Sequence, residues 1–136
     1  MQRNDFKILI AEDDPGARKL YEKTFRQEGY EVVMVTSGSE MMAELAEQKF
    51  DLLLTDLKLE GTSALEVLPL IRQRNSRMPI IVVSGYYVNL LEEFHQKGFK
   101  IDLFLHKPLG LSDLKTAVRR VLGLPVSAAE KDEAAS

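Results

Sequence analysis

The chain has 136 residues, 45% hydrophobic and 29% charged, with a formal net charge of −3. That length suits one domain with a substantial core, and that balance does not mark a nucleic-acid or anionic-membrane binder. There is no cysteine, which excludes disulfides, thiolate catalysis and Cys-ligated metal centres; the only histidines, His95 and His106, do not make a His-rich metal site.

Met1-Gln2-Arg3-Asn4-Asp5 leads into a short apolar strand rather than a signal-peptide core. No apolar run approaches the roughly 18 residues that span a bilayer. A cytoplasmic protein without membrane or direct nucleic-acid contact is expected. The first strand is Ile8-Leu9-Ile10-Ala11. Asp14-Pro15 then places an N-cap before a proline at the first helical position, and Ala17, Leu20, Tyr21, Thr24 and Phe25 recur as an amphipathic helix face. Gly29 ends that helix. Val32 to Val35 is a second strand. Ser37 and Glu40 have capping-box spacing ahead of a helix carrying Met41, Met42, Leu45 and Ala46.

A third strand, Leu52 to Thr55, runs into Asp56. Gly61-Thr62-Ser63 reads as a loop, and Ala64 to Arg74 as a helix with Leu65, Leu68 and Ile71 on one side. Arg72, Arg74 and Arg77 crowd its end, where solvated positive charge favours the helix dipole. Pro79 precedes the fourth strand, Ile80 to Val83. Tyr87 to Lys97 is a less regular helix stopped near Gly98. The fifth strand is Leu103-Phe104-Leu105. The last helical stripe is Leu114, Ala117, Val118, Val121 and Leu122, closed by Gly123. Beyond Leu124 there is no apolar face to bury, so 5–123 is expected to be the domain and 124–136 a flexible tail or the start of a linker. Near-continuous Ile, Leu and Val strands separated by helices predict an α/β fold, a parallel sheet covered on both faces.

The chemistry gathers just past the strands. Glu12-Asp13-Asp14, Asp56, Ser84 and Lys107-Pro108 each follow a different strand, and in an open parallel sheet those ends share one edge where ligands bind. Singly, each has a bland reading: acids at strand ends cap helices, as Asp14 does, and a Lys before Pro usually enters a turn. Four together are hard to treat as coincidence. Clustered carboxylates repel, and a hard dication relieves that; Mg²⁺ takes oxygen ligands, keeps waters and pairs one or two carboxylates with a phosphoryl oxygen. Asp13 and Asp56 are the expected direct ligands, with Glu12 acting through a water and a backbone carbonyl near Lys58 completing the set. Asp56 is the candidate nucleophile, since a carboxylate can attack phosphorus. Lys107 would neutralise charge on the transferring group, the Ser84 hydroxyl would donate to it, and Gly85 leaves room for it to enter.

Across about Asp5 to Gly123 these motifs resemble the response-regulator receiver domain of bacterial two-component signalling. Ile8 to Asp14 is similar to the family's first strand and acidic pair. Asp51 to Asp56 is similar to the strand bearing the phosphoacceptor. Pro79 to Gly85 resembles the strand ending in the Ser/Thr switch residue. Leu103 to Pro108 resembles the strand with the aromatic switch, here Phe104, and the lysine. The resemblance implies a flavodoxin-like doubly wound five-stranded sheet of order 2-1-3-4-5 with five helices. It implies Mg²⁺-dependent transfer of a phosphoryl group to Asp56 from a sensor histidine kinase or histidine phosphotransfer protein. The chain is then a regulatory phosphoacceptor, catalysing only its own phosphorylation and slow autodephosphorylation. A cis Lys107-Pro108 bond is implied as well. So is a two-state output in which Ser84 follows the phosphoryl group, Phe104 turns inward, and a face of the fourth helix, fifth strand and fifth helix is read by a downstream protein or domain, with homodimerisation on phosphorylation an option.

The chain departs from the family pattern at Glu60, where proline is usual, at Ser63-Ala64, where Asp-Gly is common, and at Phe104, where tyrosine is commoner. Lys58 and Tyr86 flank the expected phosphoryl site, and a bulky Tyr86 would slow water entry and dephosphorylation. Two rivals use the same residues. An α/β phosphatase or phosphotransferase with Asp56 as nucleophile commonly needs an acid two positions on, where this chain has Lys58. A never-phosphorylated binding module of the same fold would have no need of Asp13, Asp56, Ser84 and Lys107 together.

Overall fold

The structure, a computed structural model, describes residues 6–59, 64–85, 92, 96, 98 and 100–126. The expected loop at 61–63, the helix expected over 87–97 with His95, the Leu65 side chain, Glu60, Tyr86 and the tail from 127 lie outside the described residues. Five strands, β1 (Lys7–Ala11), β2 (Glu31–Val35), β3 (Leu52–Asp56), β4 (Ile80–Ser84) and β5 (Leu103–His106), form one sheet of order β2-β1-β3-β4-β5 with every pairing parallel. This is the doubly wound order expected.

Helices cover both faces. Period-two alternation sends Leu9, Leu53, Ile80 and Val82 to one face, against Met41 of α2 (Gly38–Glu47) and Leu68 and Ile71 of α3 (Ala64–Arg74). Ile8, Ile10, Leu52, Leu54, Ile81 and Val83 face Phe25 of α1 (Pro15–Gln27) and Leu114 and Val118 of the C-terminal helix, α4 (Leu111–Leu122). Strands buried on both sides explain the unbroken apolar runs.

The helix ends follow their local chemistry. Asp14 Oδ2 accepts from the Ala17 N–H at 2.9 Å with Pro15 directly behind, and Gly123 closes the last helix at φ 76°. Ser37 caps α2 through the Glu40 N–H, but the Glu40 carboxylate turns to the Thr36 hydroxyl and N–H, closing the box one residue earlier. Hydrogen bonds from Thr36, the hydroxyl first, hold that carboxyl below its ordinary value.

Three residues behave differently from the sequence reading. Leu20 was expected on the buried face of α1, but it is 47% exposed; Phe25 carries that face. The helix presents its inward stripe through Tyr21 and Phe25, and Leu20 falls outside it. Arg72 is no solvated dipole charge. Its guanidinium donates to the carbonyls of Asn75, Ser76, Met78 and Lys100 and to Asp102 Oδ2, with the side chain only 11% exposed. It ties the end of α3 to the segments entering β4 and β5. Leu124 still packs on the core, and Arg119 Nη1 donates to the Pro125 carbonyl at 3.0 Å, so packing continues past the closing glycine.

Candidate functional site

Because the strands run parallel, Glu12, Asp56, Ser84 and Lys107 arrive at one edge of the sheet. Ile8, Ile10 and Glu12 share one face of β1, and Leu52, Leu54 and Asp56 the same face of β3, so both carboxylates continue an apolar stripe into the edge. Lys107, one residue past β5, reaches back to both. Its Nζ stands 2.6 Å from Asp56 Oδ2 and 3.4 Å from Glu12 Oε1. The Lys58 N–H points at Asp56 Oδ1 at 3.3 Å, and the Asp14 N–H donates to Glu12 Oε2 at 3.1 Å. Asp13 lies between them in sequence and is half-buried. Ser84 is fully buried and pairs across the sheet with His106, and the Lys107 N–H donates to the Ser84 carbonyl at 2.9 Å. The Lys107-Pro108 bond is cis. Phe104 sits half-buried two residues up β5, packed on the α2–α3 side of the core. Gly85 is less demanding than the sequence suggested: a Cβ there would meet only Lys107 Cβ at 3.9 Å, an ordinary contact.

The electrostatics are strained in one direction. Glu12 is 2% exposed, and burial pushes its carboxyl above the ordinary range; the Asp14 N–H and Lys107 oppose that, and the Asp56 charge adds to it. Burial alone would lower the Lys107 ammonium, but the hydrogen bond to Asp56 and the charges of Asp56 and Glu12 outweigh it, so its proton is held more tightly than usual. Two carboxylates therefore share one ammonium. Sequence reasoning missed Tyr21, which it took as core. Burial lifts its phenol above the ordinary value, and Lys107, Glu12, Asp56 and Asp14 all act on it, so α1 brings a hydroxyl into the field of the acidic edge. The available signal was position: Tyr21 lies two turns into the helix that Asp14 starts.

A surplus of buried carboxylate oxygen beside one cation fits a hard divalent ion. Among the described residues no three His, Asp or Glu side chains stand close enough to hold a metal by themselves. Mg²⁺ does not require that, since it is usually held by one or two carboxylates with water and a phosphoryl oxygen.

Residues 8–119 match the response regulator receiver domain profile. The chain belongs to that family. It is 34% identical over 111 residues to sensor protein EvgS of Escherichia coli (strain K12), covering 80% of this chain and 9% of the length of that sensor. It is 26% identical over 119 residues to sporulation initiation phosphotransferase F of Bacillus subtilis (strain 168), covering 87% of this chain and 94% of that protein. Its fold matches the receiver domain of a sensor histidine kinase from Pseudomonas aeruginosa PAO1 with a TM-score of 0.74 at 25% identity, covering 88% of this chain and 99% of that one. That structure has a magnesium ion coordinated in its active site cleft. This receiver domain is thus a regulatory phosphoacceptor module of two-component phosphorelay signalling. Among its described residues no helix is long and apolar enough to cross a membrane.

Proposed function

We propose that Asp56 is the phosphoacceptor of this receiver domain, which acts in the cytoplasm and is charged by a phosphohistidine of a sensor histidine kinase or histidine phosphotransfer protein. The observation that carries this is the Lys107 ammonium, 2.6 Å from Asp56 and 3.4 Å from Glu12. It fixes one carboxylate at the mouth of the edge and meets the negative charge of an incoming phosphoryl group.

An Asp56 carboxylate oxygen attacks phosphorus, the phosphorus–nitrogen bond of the donor breaks, and the donor imidazole leaves with the bonding pair and takes a proton. Lys107 neutralises the equatorial oxygens as the bond transfers, and the Lys58 N–H, already aimed at Asp56 Oδ1, orients the carboxylate. Asp13 and Asp56 would hold Mg²⁺ directly, Glu12 through a water, with the Lys58 carbonyl as a further ligand. When bound, that ion supplies the positive charge that two carboxylates and one ammonium leave short. In the slow return reaction, water attacks the phosphorus and the Asp56 carboxylate leaves. Lys58 and Tyr86 tune that step from the rim, so Tyr86→Ala shortens the life of the aspartyl phosphate, read by phosphate release.

The output is a shift between two states. The Ser84 hydroxyl follows the phosphoryl group and Phe104 turns toward the space beside it. A downstream protein or domain reads the face built from the segment before β5, β5 itself and the C-terminal helix, and a second phosphorylated copy is an alternative reader. In support, a groove of about 380 Å³ lies on this face between Leu103 and Leu105 of β5 and Ala117 and Val121 of the helix, with Asp113 and Arg120 at its lining. The test is incubation with acetyl phosphate and Mg²⁺ followed by intact-mass analysis. One acyl-phosphate adduct is expected, absent in Asp56→Asn; an adduct elsewhere, or none, overturns the assignment.

A further inference from the structure

Phe104 and His106 stand two residues apart on β5 and therefore on one face of the sheet. Their cross-strand partners are Val82 and Ser84. The two rings meet edge-on, centroids 5.1 Å apart and planes at 63°. Phe104 is half-buried against the core, whereas His106 is exposed at the edge, beside Ser84 and directly before Lys107. His106, the cross-strand neighbour of Ser84, therefore stands on this face between the Phe104 ring and the direction in which it is proposed to turn, and a turned ring no longer meets it edge-on in the arrangement seen here.

We infer that His106 is a positioning residue for Phe104, whose edge contact holds the ring in its resting place and so sets how readily the domain switches. The inference rests on the reading of Ser84 and Phe104 as the moving pair. Tilted aromatic pairs attract beyond the area they bury. A contact present in one state and absent in the other shifts a two-state balance by its own free energy, here about two- to tenfold. An aliphatic residue at 106 would leave the strand intact, since β-branched residues suit it, and would release the ring. A second ring at 106 would keep the contact.

The experiment uses the full chain and titrates beryllofluoride with Mg²⁺ as the phosphoryl mimic. It follows affinity, the Phe104 ring resonances by NMR, and the melting temperature. His106→Val is expected to bind the mimic about two- to tenfold more tightly, to shift the Phe104 resonances before any mimic is added, and to melt only a few degrees below the parent, by what such a contact is worth. His106→Phe is expected to restore parental affinity. Equal affinities in the parent and both variants overturn the inference and leave the receiver reading standing, as does weaker binding that tracks a lower melting temperature. No binding by the parent overturns the assignment of Asp56, and this inference with it.

Discussion

Lys107, at the carboxyl end of the sheet, faces two carboxylates with a single charge, whereas Arg72, at the amino end, spends its fork of donors on four backbone carbonyls and one carboxylate. The same Asp102 oxygen that meets Arg72 also accepts from the Ile80 N–H at 2.7 Å, so one clasp joins α3, β4 and the approach to β5. The difference lies in what each cation satisfies. Around Arg72 the partners are four neutral carbonyls fixed by the backbone and one carboxylate that matches its single charge, so the clasp is complete within the chain. Around Lys107 the partners are two carboxylates that repel one another and outnumber the single ammonium, an excess that the proposed Mg²⁺ would balance.

The largest effect is expected from Lys107→Met. Removing a preorganised charge from a transferring group slows the reaction about a hundredfold or more. This is read as the rate of aspartyl-phosphate formation from acetyl phosphate, at an unchanged adduct site. Arg72→Ala should act on the other quantity. It leaves several carbonyls and Asp102 short of a donor and lowers unfolding free energy by about 3 kcal/mol in urea titrations. That loss should be the same with and without Mg²⁺. Arg72→Lys should recover less than half, because an ammonium cannot match a fork that serves five acceptors. If Arg72→Ala instead changed phosphorylation rate while leaving stability alone, the division of labour between the two ends would be wrong.

Much of this was legible in the sequence because both signals are local. Strands buried on both faces must be continuously apolar, so β1, β3 and β4 could be placed to within a residue, and parallel strands then force their downstream residues onto one edge. Glu12, Asp56, Ser84 and Lys107 needed no more than that. The Arg72 clasp was invisible, because its acceptors are carbonyls of four other residues and a carboxylate 30 positions away; a carbonyl has no sequence signature. Tyr21 was placed correctly on the inward face of α1, but its second role was not legible: helical periodicity says which side turns inward, not that the inward side overlooks charge. Leu20 shows the reverse failure, an apolar residue counted into a stripe that the helix rotates out of contact. The edge-on meeting of Phe104 and His106 was implicit in their spacing of two, but spacing does not choose rotamers.

The smallest expected effect separates stability from function at a single atom pair. In the unfolded chain Glu12 titrates near 4.5, and in the folded chain higher, chiefly because burial disfavours its charge. Between those two values the folded state keeps a proton that the unfolded state has lost, so stability falls as pH rises through that window, and the full penalty stands above it. Glu12→Gln removes the penalty and keeps an oxygen for the Asp14 N–H. The variant should be more stable than the parent at pH 7, by about 1 kcal/mol, and the gap should close as pH falls toward 4.5. Thermal melts of both proteins across that range read the difference directly. Phosphorylation should weaken in the same variant, since the carboxylate that destabilises the resting fold is the one proposed to help draw in the cation. A Glu12→Gln variant no more stable than its parent at neutral pH would mean that Lys107 already balances the edge, and that the contrast with the Arg72 end is one of geometry alone.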